Sequence, residues 1–236
     1  MKTPSDFVLA GSGKEVKFRG FSVGVLAKPK LAFSRAPKDF SEALLEKLYR
    51  TGISSFGRPE SRGFYDDVKE HTQDGDMLAL AYSDTDVLGF ASANLHSEHD
   101  LFYLFGVLIG KQHKTRGVGI ATVKTLFAES GLRKIGFTTQ NPVMFCFLRK
   151  LCKRVSANPA SPIVPAEWRK SAKVLMSDRN GSFNEQTFVS HDLYSQCLYD
   201  EIPKSDDEEV NRWFQTSLRI RDGKTRDGFL FLGEAC

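Results

Sequence analysis

A chain of 236 residues with a hydrophobic fraction of 41% has room for one domain with a long extension, or one and a half domains. No apolar run approaches the roughly 18 to 20 residues that span a bilayer, and Met1 to Asp6 lack the apolar stretch of a secretory signal, so a cytosolic location and no membrane partner are expected. The net charge of +4, without a basic stripe interleaved with aromatics, argues against nucleic acid; four scattered cysteines (Cys146, Cys152, Cys197, Cys236) without a CxxC pair argue against a disulfide framework or a metal site.

Residues 15 to 34 alternate loosely through Val16, Phe18, Phe21, Val23 and Val25 and read as one or two strands. Lys38 to Arg50 reads as a helix, with Phe40, Ala43, Leu44, Lys47 and Leu48 at helical spacing and Gly52 as its stop. Ser54 to Asp76 is polar and glycine-punctuated, with a short helix expected around Phe64 to Glu70. Met77 to Tyr82 and Val87 to Leu95 form a hairpin across Ser83-Asp84-Thr85-Asp86. A second turn, His96 to Asp100, leads into an apolar strand from Leu101 to Ile109.

The next stretch carries the chemistry. Lys111 to Arg116 is a polar loop that closes in Arg116-Gly117-Val118-Gly119, and an amphipathic segment from Ile120 to Phe127 follows. Glycine permits a tight turn and lets a bulky ligand approach the backbone. The first amides of the helix have no intrahelical partner and point outward at the positive end of its dipole, where a diphosphate fits. The spacing is not GxxxxGK[ST], since no Lys-Ser/Thr follows the second glycine. It is not GxGxxG either, since Ala121-Thr122 stands where the third glycine would come.

Lys134 to Thr139 reads as a further strand, and Asn141 to Leu151 as a helix led by asparagine. Asn158-Pro159-Ala160-Ser161-Pro162 is a cluster of breakers. Ser205-Asp206-Asp207-Glu208 has the form of a capping box opening a helix, on which Val210, Trp213, Phe214 and Leu218 make an apolar stripe for the core. Gly228 to Gly233 should be the last strand. Of the cysteines, Cys146 is expected to be buried as a small apolar side chain, and it does not share a helix face with Cys152. The basic groups Arg149-Lys150-Lys153-Arg154 and Arg219, Arg221, Lys224, Arg226 read as solvated surface.

Lys114-Thr115-Arg116-Gly117-Val118-Gly119 resembles the Q/R-x-x-G-x-G/A signature of the GNAT superfamily of acetyl-CoA-dependent acyltransferases, with Lys114 in place of the usual Gln or Arg. The alternating strand ending at Ile109, ten residues before Gly119, agrees with it, as do the strand and Asn141-led helix downstream. The resemblance covers residues 35 to 155. It implies an α/β fold of the α+β type, with a mixed, mostly antiparallel sheet of six to seven strands flanked by helices. One domain would span 1–236, with its core at 35–155, an insertion at 156–204 and a closing helix and strand at 205–236.

The resemblance further implies acetyl-CoA as cofactor. Val107, Leu108 and Ile109 would lie along it, with their amides polarising the acyl carbonyl. Lys114, Thr115, Arg116, Gly117, Val118, Gly119, Ile120 and Ala121 would hold its diphosphate, and Asn141 and Phe147 would flank its pantetheine arm beside a strand that splays from Leu101–Ile109. The position at which many members carry a proton-donating tyrosine falls on Leu148. Where some members carry a glutamate base, this chain has Tyr103, the candidate catalytic residue, with Glu98, His96 and His99 as alternatives for base and Tyr194, Tyr199 or water for proton donor. The activity implied is transfer of acetyl to a primary amine of a small molecule or peptide. A protein lysine or N-terminal acetyltransferase, or a non-catalytic CoA-binding module, are the alternatives. The insertion at 156–204 is the candidate for an acceptor-side lid or a surface for a homodimer.

Overall fold

The structure is a computed structural model that describes residues 3–57, 59–84 and 86–235, with the side chain of Thr115 left out; Thr85 of the hairpin turn and Cys236 lie outside the described residues. The chain divides into two compact units, 1–96 with 102–132, and 97–101 with 133–236. No described helix is long and apolar enough to cross a membrane.

The first unit holds α1 (Pro4–Ala10), β1 (Lys14–Phe18), β2 (Phe21–Ala27), α2 (Pro29–Arg35), α3 (Lys38–Phe56), α4 (Arg62–Gln73), β3 (Met77–Tyr82), β4 (Val87–His96), β5 (Leu101–Ile109, which enters this unit at Phe102) and α5 (Val118–Ser130). Its strands run in the order β1-β2-β3-β4-β5, with antiparallel pairing through β4. Alternation sorts the side chains. Leu26, Leu78, Leu80, Tyr82 and Phe90 point to one face and build a core with Phe7, Phe33, Leu44, Leu48, Phe64 and Val68 from α1 to α4. The opposite face presents the small Ala79, Ala81 and Ala91, and α5 packs over β2, β3 and β4 there.

Of the one or two strands expected across residues 15 to 34, two form, and the stretch ends in a helix, because Pro29 opens α2 at its first turn. Gly52 does not stop α3. It is buried inside the helix, and a Cβ there would meet the Phe64 ring at 3.1 Å, so its small size lets α4 pack closely. The helix ends at Gly57, whose φ of 68° is the left-handed cap that glycine accepts without strain.

The second unit holds β6 (Lys134–Thr139), α6 (Pro142–Leu151), β7 (Cys152–Val155), α7 (Ala166–Met176), β8 (Ser182–Phe183), β9 (Val189–His191), α8 (Glu208–Ser217) and β10 (Gly228–Ala235). Here β10 is central: it pairs antiparallel with β6, β7 and β9, and β8 extends the edge beyond β9. The described strands number ten rather than the six to seven expected, because Cys152–Val155 forms β7 and the 156–204 segment contributes β8 and β9 together with α7, which packs on β10. Phe145, Trp213, Phe214, Phe229 and Phe231 form one aromatic cluster, ring centroids 4.6 to 5.9 Å apart, so the stripe on α8 is core as expected.

Two local expectations fail. Asp207 rather than Ser205 caps α8, accepting from the amides of Glu209 and Val210, while the Ser205 hydroxyl turns to Asn211. Cys152, not Cys146, is the buried cysteine, set against Gly233. The basic residues Arg149, Lys150, Lys153 and Arg154 are exposed, as expected, and three of them carry surface ion pairs: Arg149 with Asp207 at 3.1 Å, Lys153 with Glu234 at 3.6 Å and Arg154 with Glu167 at 2.8 Å.

Candidate functional site

Between β5 and α5 the chain makes a 3-10 turn over Lys111–Arg116 and then reaches Gly117, whose φ of 73° again needs the left-handed region. Gly117 occupies the N-cap of α5 but has no side chain to cap it. The first backbone bond of the helix is Ala121 N–H to Gly117 O at 3.0 Å, which leaves the amides of Val118, Gly119 and Ile120 ahead of it. Ala121, expected among the diphosphate-holding amides, is corrected by that bond: its N–H is already used.

The two glycines act differently. A Cβ on Gly119 would come within 3.2 Å of Ile109 Cγ1, so this glycine lets the helix start press on the end of β5. A Cβ on Gly117 would meet only Ile120 Cγ2, at 4.0 Å, so the outer side of the turn is open to a ligand. Val118 is buried and anchors the turn, whereas Arg116 is exposed. The carbonyl of Leu88 accepts from the Gly110 amide at 2.9 Å and holds the start of the loop to β4.

Lys114 was expected to face the diphosphate. Its Nζ donates instead to the Ser55 carbonyl at 2.6 Å, in the last turn of α3, where a cation satisfies a free carbonyl. Burial there, with Lys111 nearby, pulls its pKa below the usual lysine range. His113, in the same turn, has a buried Nδ1 with no hydrogen-bond partner among the described residues.

β5 changes character halfway. Its ends are buried, but Phe105, Gly106 and Val107 are partly exposed, while Leu108 and Ile109 are covered again. Tyr103 is 3% exposed, so its phenol sits in the interior. Residues singled out at the turn after β4 separate: His96 ends β4, while Glu98 and His99 lie in a short 3-10 turn of the second unit, 3.7 Å apart. Beside the open middle of β5 stands a residue that sequence reasoning missed. His71, on α4, stacks on the Phe105 ring with centroids 4.3 Å apart and planes 14° from parallel. Its only advance signals are an aspartate four residues earlier and a lone glycine, Gly106, inside a strand, which marks close approach.

In the second unit Asn141 caps α6: its Oδ1 accepts from the Val143 amide at 2.9 Å, and Pro142 follows with no N–H to satisfy. Asn141 Nδ2 reaches Tyr199 Oη at 3.4 Å, so one of the two tyrosines named from the insertion does arrive at this helix start. Buried Gln140 fastens that segment, donating to the carbonyls of Thr225 and Asp227 and accepting from the Leu198 amide. Phe147 is half-buried on α6, and Leu148 is fully buried.

The second basic group, Arg219, Arg221, Lys224 and Arg226, lines a cavity of about 410 Å³. Three of its members pair with carboxylates, Lys224 with Asp200 at 3.9 Å being the loosest. Asp227, with a side chain 2% exposed, accepts from Arg219 Nε and Nη2 at 2.6 Å each, from His191 Nδ1 at 2.9 Å and from the Asp192 amide at 3.0 Å. Arg226 pairs with Asp192. Burial raises the Asp227 pKa, but the bonds from Arg219, the Asp192 amide and His191 outweigh it and bring the group to about 2. Among the described residues no group of three or more His, Cys, Asp or Glu is placed to hold a metal ion.

No family model and no curated protein matches this chain. Solved structures do resemble it. One is a protein of Pyrococcus horikoshii assigned as an acetyltransferase, at 13% identity over 59% of this chain and 46% of that one, with a TM-score of 0.43; this chain spans about half the length of that protein. Another is a GNAT-family protein of Desulfovibrio desulfuricans, assigned as an acetyltransferase, at 16% identity over 57% and 88% of the two chains, with a TM-score of 0.41. A third is the ribosomal-protein-S18-alanine N-acetyltransferase of Escherichia coli, at 11% identity over 90% and 94%, with a TM-score of 0.43.

Proposed function

We propose that this protein is an acetyl-CoA-dependent N-acetyltransferase acting on a primary amine of a small molecule or peptide. One observation carries the reading: α5 begins at an uncapped left-handed glycine directly after β5 and its turn, with the amides of Val118, Gly119 and Ile120 ahead of the first helical bond. Such an end attracts a diphosphate through donors and dipole together. The residues fit the group, since the outer face of Gly117 is open where a side chain would obstruct the approach. Val118, Gly119 and Ile120 would bind the diphosphate, exposed Arg116 would add charge from outside, and Lys114 would hold the turn to α3.

Acetyl-CoA supplies the activated acyl group as a thioester. The chain itself must bring a neutral amine to the carbonyl, take a proton from it, and provide donors for the charge that develops on oxygen. The amides of Val107, Leu108 and Ile109 are the proposed donors. On the second unit, Asn141 and Phe147 remain proposed cofactor contacts, and Tyr199, hydrogen-bonded to Asn141, is favoured over Tyr194 as a proton donor near that helix. Protein lysine or N-terminal acetylation is the alternative within the same chemistry. The reading as a CoA-binding module without catalysis draws on buried Leu148, at the position where the resemblance has a tyrosine.

The experiment is native mass spectrometry of the purified protein with acetyl-CoA, followed by thiol release with a polyamine, an aminoglycoside and a lysine-bearing peptide. Binding with amine-dependent thiol release is expected. Binding without release supports the module, and no binding removes the assignment.

A further inference from the structure

We infer that His71 is the general base of this site, taking the proton of the acceptor amine at the exposed middle of β5; the inference rests on the acetyl-transfer reading above. Three features of the ring point this way. First, its tautomer is fixed by its partner. Nδ1 lies 2.8 Å from the Asp67 carbonyl oxygen, which can only accept, so the neutral ring carries its proton on Nδ1 and its lone pair on Nε2. Second, the ring is held. It stacks on Phe105, and the Asp67 carboxylate stands 3.4 Å from Nδ1. Third, the ring edge is aimed. Cδ2, the carbon bonded to Nε2, lies 2.6 Å from the point where Gly106 would carry a Cβ.

That point lies at the partly exposed stretch of β5, immediately before the Val107 to Ile109 amides. Only glycine at 106 leaves room for the imidazole to reach the strand. Ser92 Oγ lies 3.4 Å from the same point, is fully buried, and has no hydrogen-bond partner among the described residues. A buried hydroxyl without a partner is costly unless a ligand or water completes it. The His71 side chain is 27% exposed, so it is both fixed by packing and open to an acceptor.

In the step assigned to it, the amine nitrogen's lone pair forms the C–N bond to the thioester carbonyl carbon, and the N–H proton passes to His71 Nε2. Collapse of the tetrahedral centre breaks the C–S bond, the leaving thiolate takes its proton from Tyr199, and the proton on His71 returns through solvent to the tyrosinate. The products are the N-acetyl amine and the free thiol, with the ring neutral again.

The test is His71→Ala, assayed for thiol release with whichever of the polyamine, aminoglycoside or lysine peptide the wild type acetylates, with and without added imidazole. Turnover should fall by about 10²- to 10⁴-fold with acetyl-CoA affinity unchanged by calorimetry, and imidazole should restore part of the rate. Turnover within about 3-fold of wild type overturns the assignment, as does a loss that imidazole leaves untouched, which would make the ring a packing residue. If the alanine variant melts below the assay temperature, His71→Gln, which fills most of the ring's volume, gives the same turnover reading. A wild type that binds no acetyl-CoA, or binds it and acetylates none of the three amines, removes the underlying reading and this one together. Transfer that survives His71 substitution removes only this one.

Discussion

The starts of α5 and α6 are built to opposite ends. At α6 the protein satisfies itself: Asn141 caps the Val143 amide, and Pro142 has no N–H to leave open. At α5 the corresponding cap position is Gly117, which contributes no side chain, and the amides of Val118 to Ile120 precede the first helical bond. A side-chain cap contributes about 1 kcal/mol to a helix, so a start without one forgoes stability that a Ser or Asp in the usual extended cap conformation would provide. An external anion at α5, as proposed above, would give that omission a purpose. The same contrast recurs within the second unit, where the Asp227 carboxylate is filled by four donors and is accordingly structural.

The largest expected effect falls on the open end. Gly117→Asp with Gly119→Asp should weaken acetyl-CoA binding by about 100-fold or more, because two carboxylates would occupy and repel from the diphosphate's place. Calorimetry on a variant whose circular dichroism matches wild type reads it directly. Undiminished affinity would make the glycines conformational only.

Next is the closed cluster. Asp227→Ala should cost about 2 kcal/mol, as expected for removing a buried acceptor of charge-assisted hydrogen bonds, and should leave acetyl-CoA affinity intact. The pH dependence follows from the sign of the shift: folded Asp227 titrates at about 2 against an ordinary 3.8. Its contribution, about 2 kcal/mol, is complete above pH 4 and is lost as pH falls toward 2. Urea melts of wild type and Asp227→Asn between pH 2 and pH 6 check this, and parallel curves would show that the carboxylate is not coupled to folding.

Asn141→Ala probes the self-capped start and should lower stability by about 1 kcal/mol. Tyr103→Phe should cost a similar amount through its buried hydroxyl while turnover stays within about 3-fold; a loss of 100-fold would return this residue to the chemistry in place of His71. The smallest effect belongs to Arg116→Ala, which should only flatten the salt dependence of acetyl-CoA affinity, since an exposed cation acts through a screened field. Lys114→Ala should leave that slope unchanged, because its ammonium is held at Ser55.

Much of this contrast is legible in the residues themselves. β5 and β6 have the limits that their apolar runs indicate, and the glycine loop and asparagine cap stand where Gly117 and Asn141 place them. What fails are choices made by tertiary packing. Gly52 reads as a stop until α4 is found against it, and the Ser205 capping box yields to Asp207 because Asn211 claims the serine hydroxyl. The 156–204 segment reads as an insertion, since β8 and β9 are two and three residues long and carry little periodicity of their own. His71 lies in a polar stretch without a motif. Its meaning comes from Phe105, Gly106 and Ser92, which only the fold brings to it.

The central claim concerns three backbone amides, and they can be watched directly. In a titration with acetyl-CoA followed by amide nitrogen–proton NMR, the Val118, Gly119 and Ile120 resonances should move downfield together as hydrogen bonds to the diphosphate form, while the Val143 amide, already capped by Asn141, should show no comparable downfield shift. Saturable binding that leaves the three α5 amides unmoved would contradict the account.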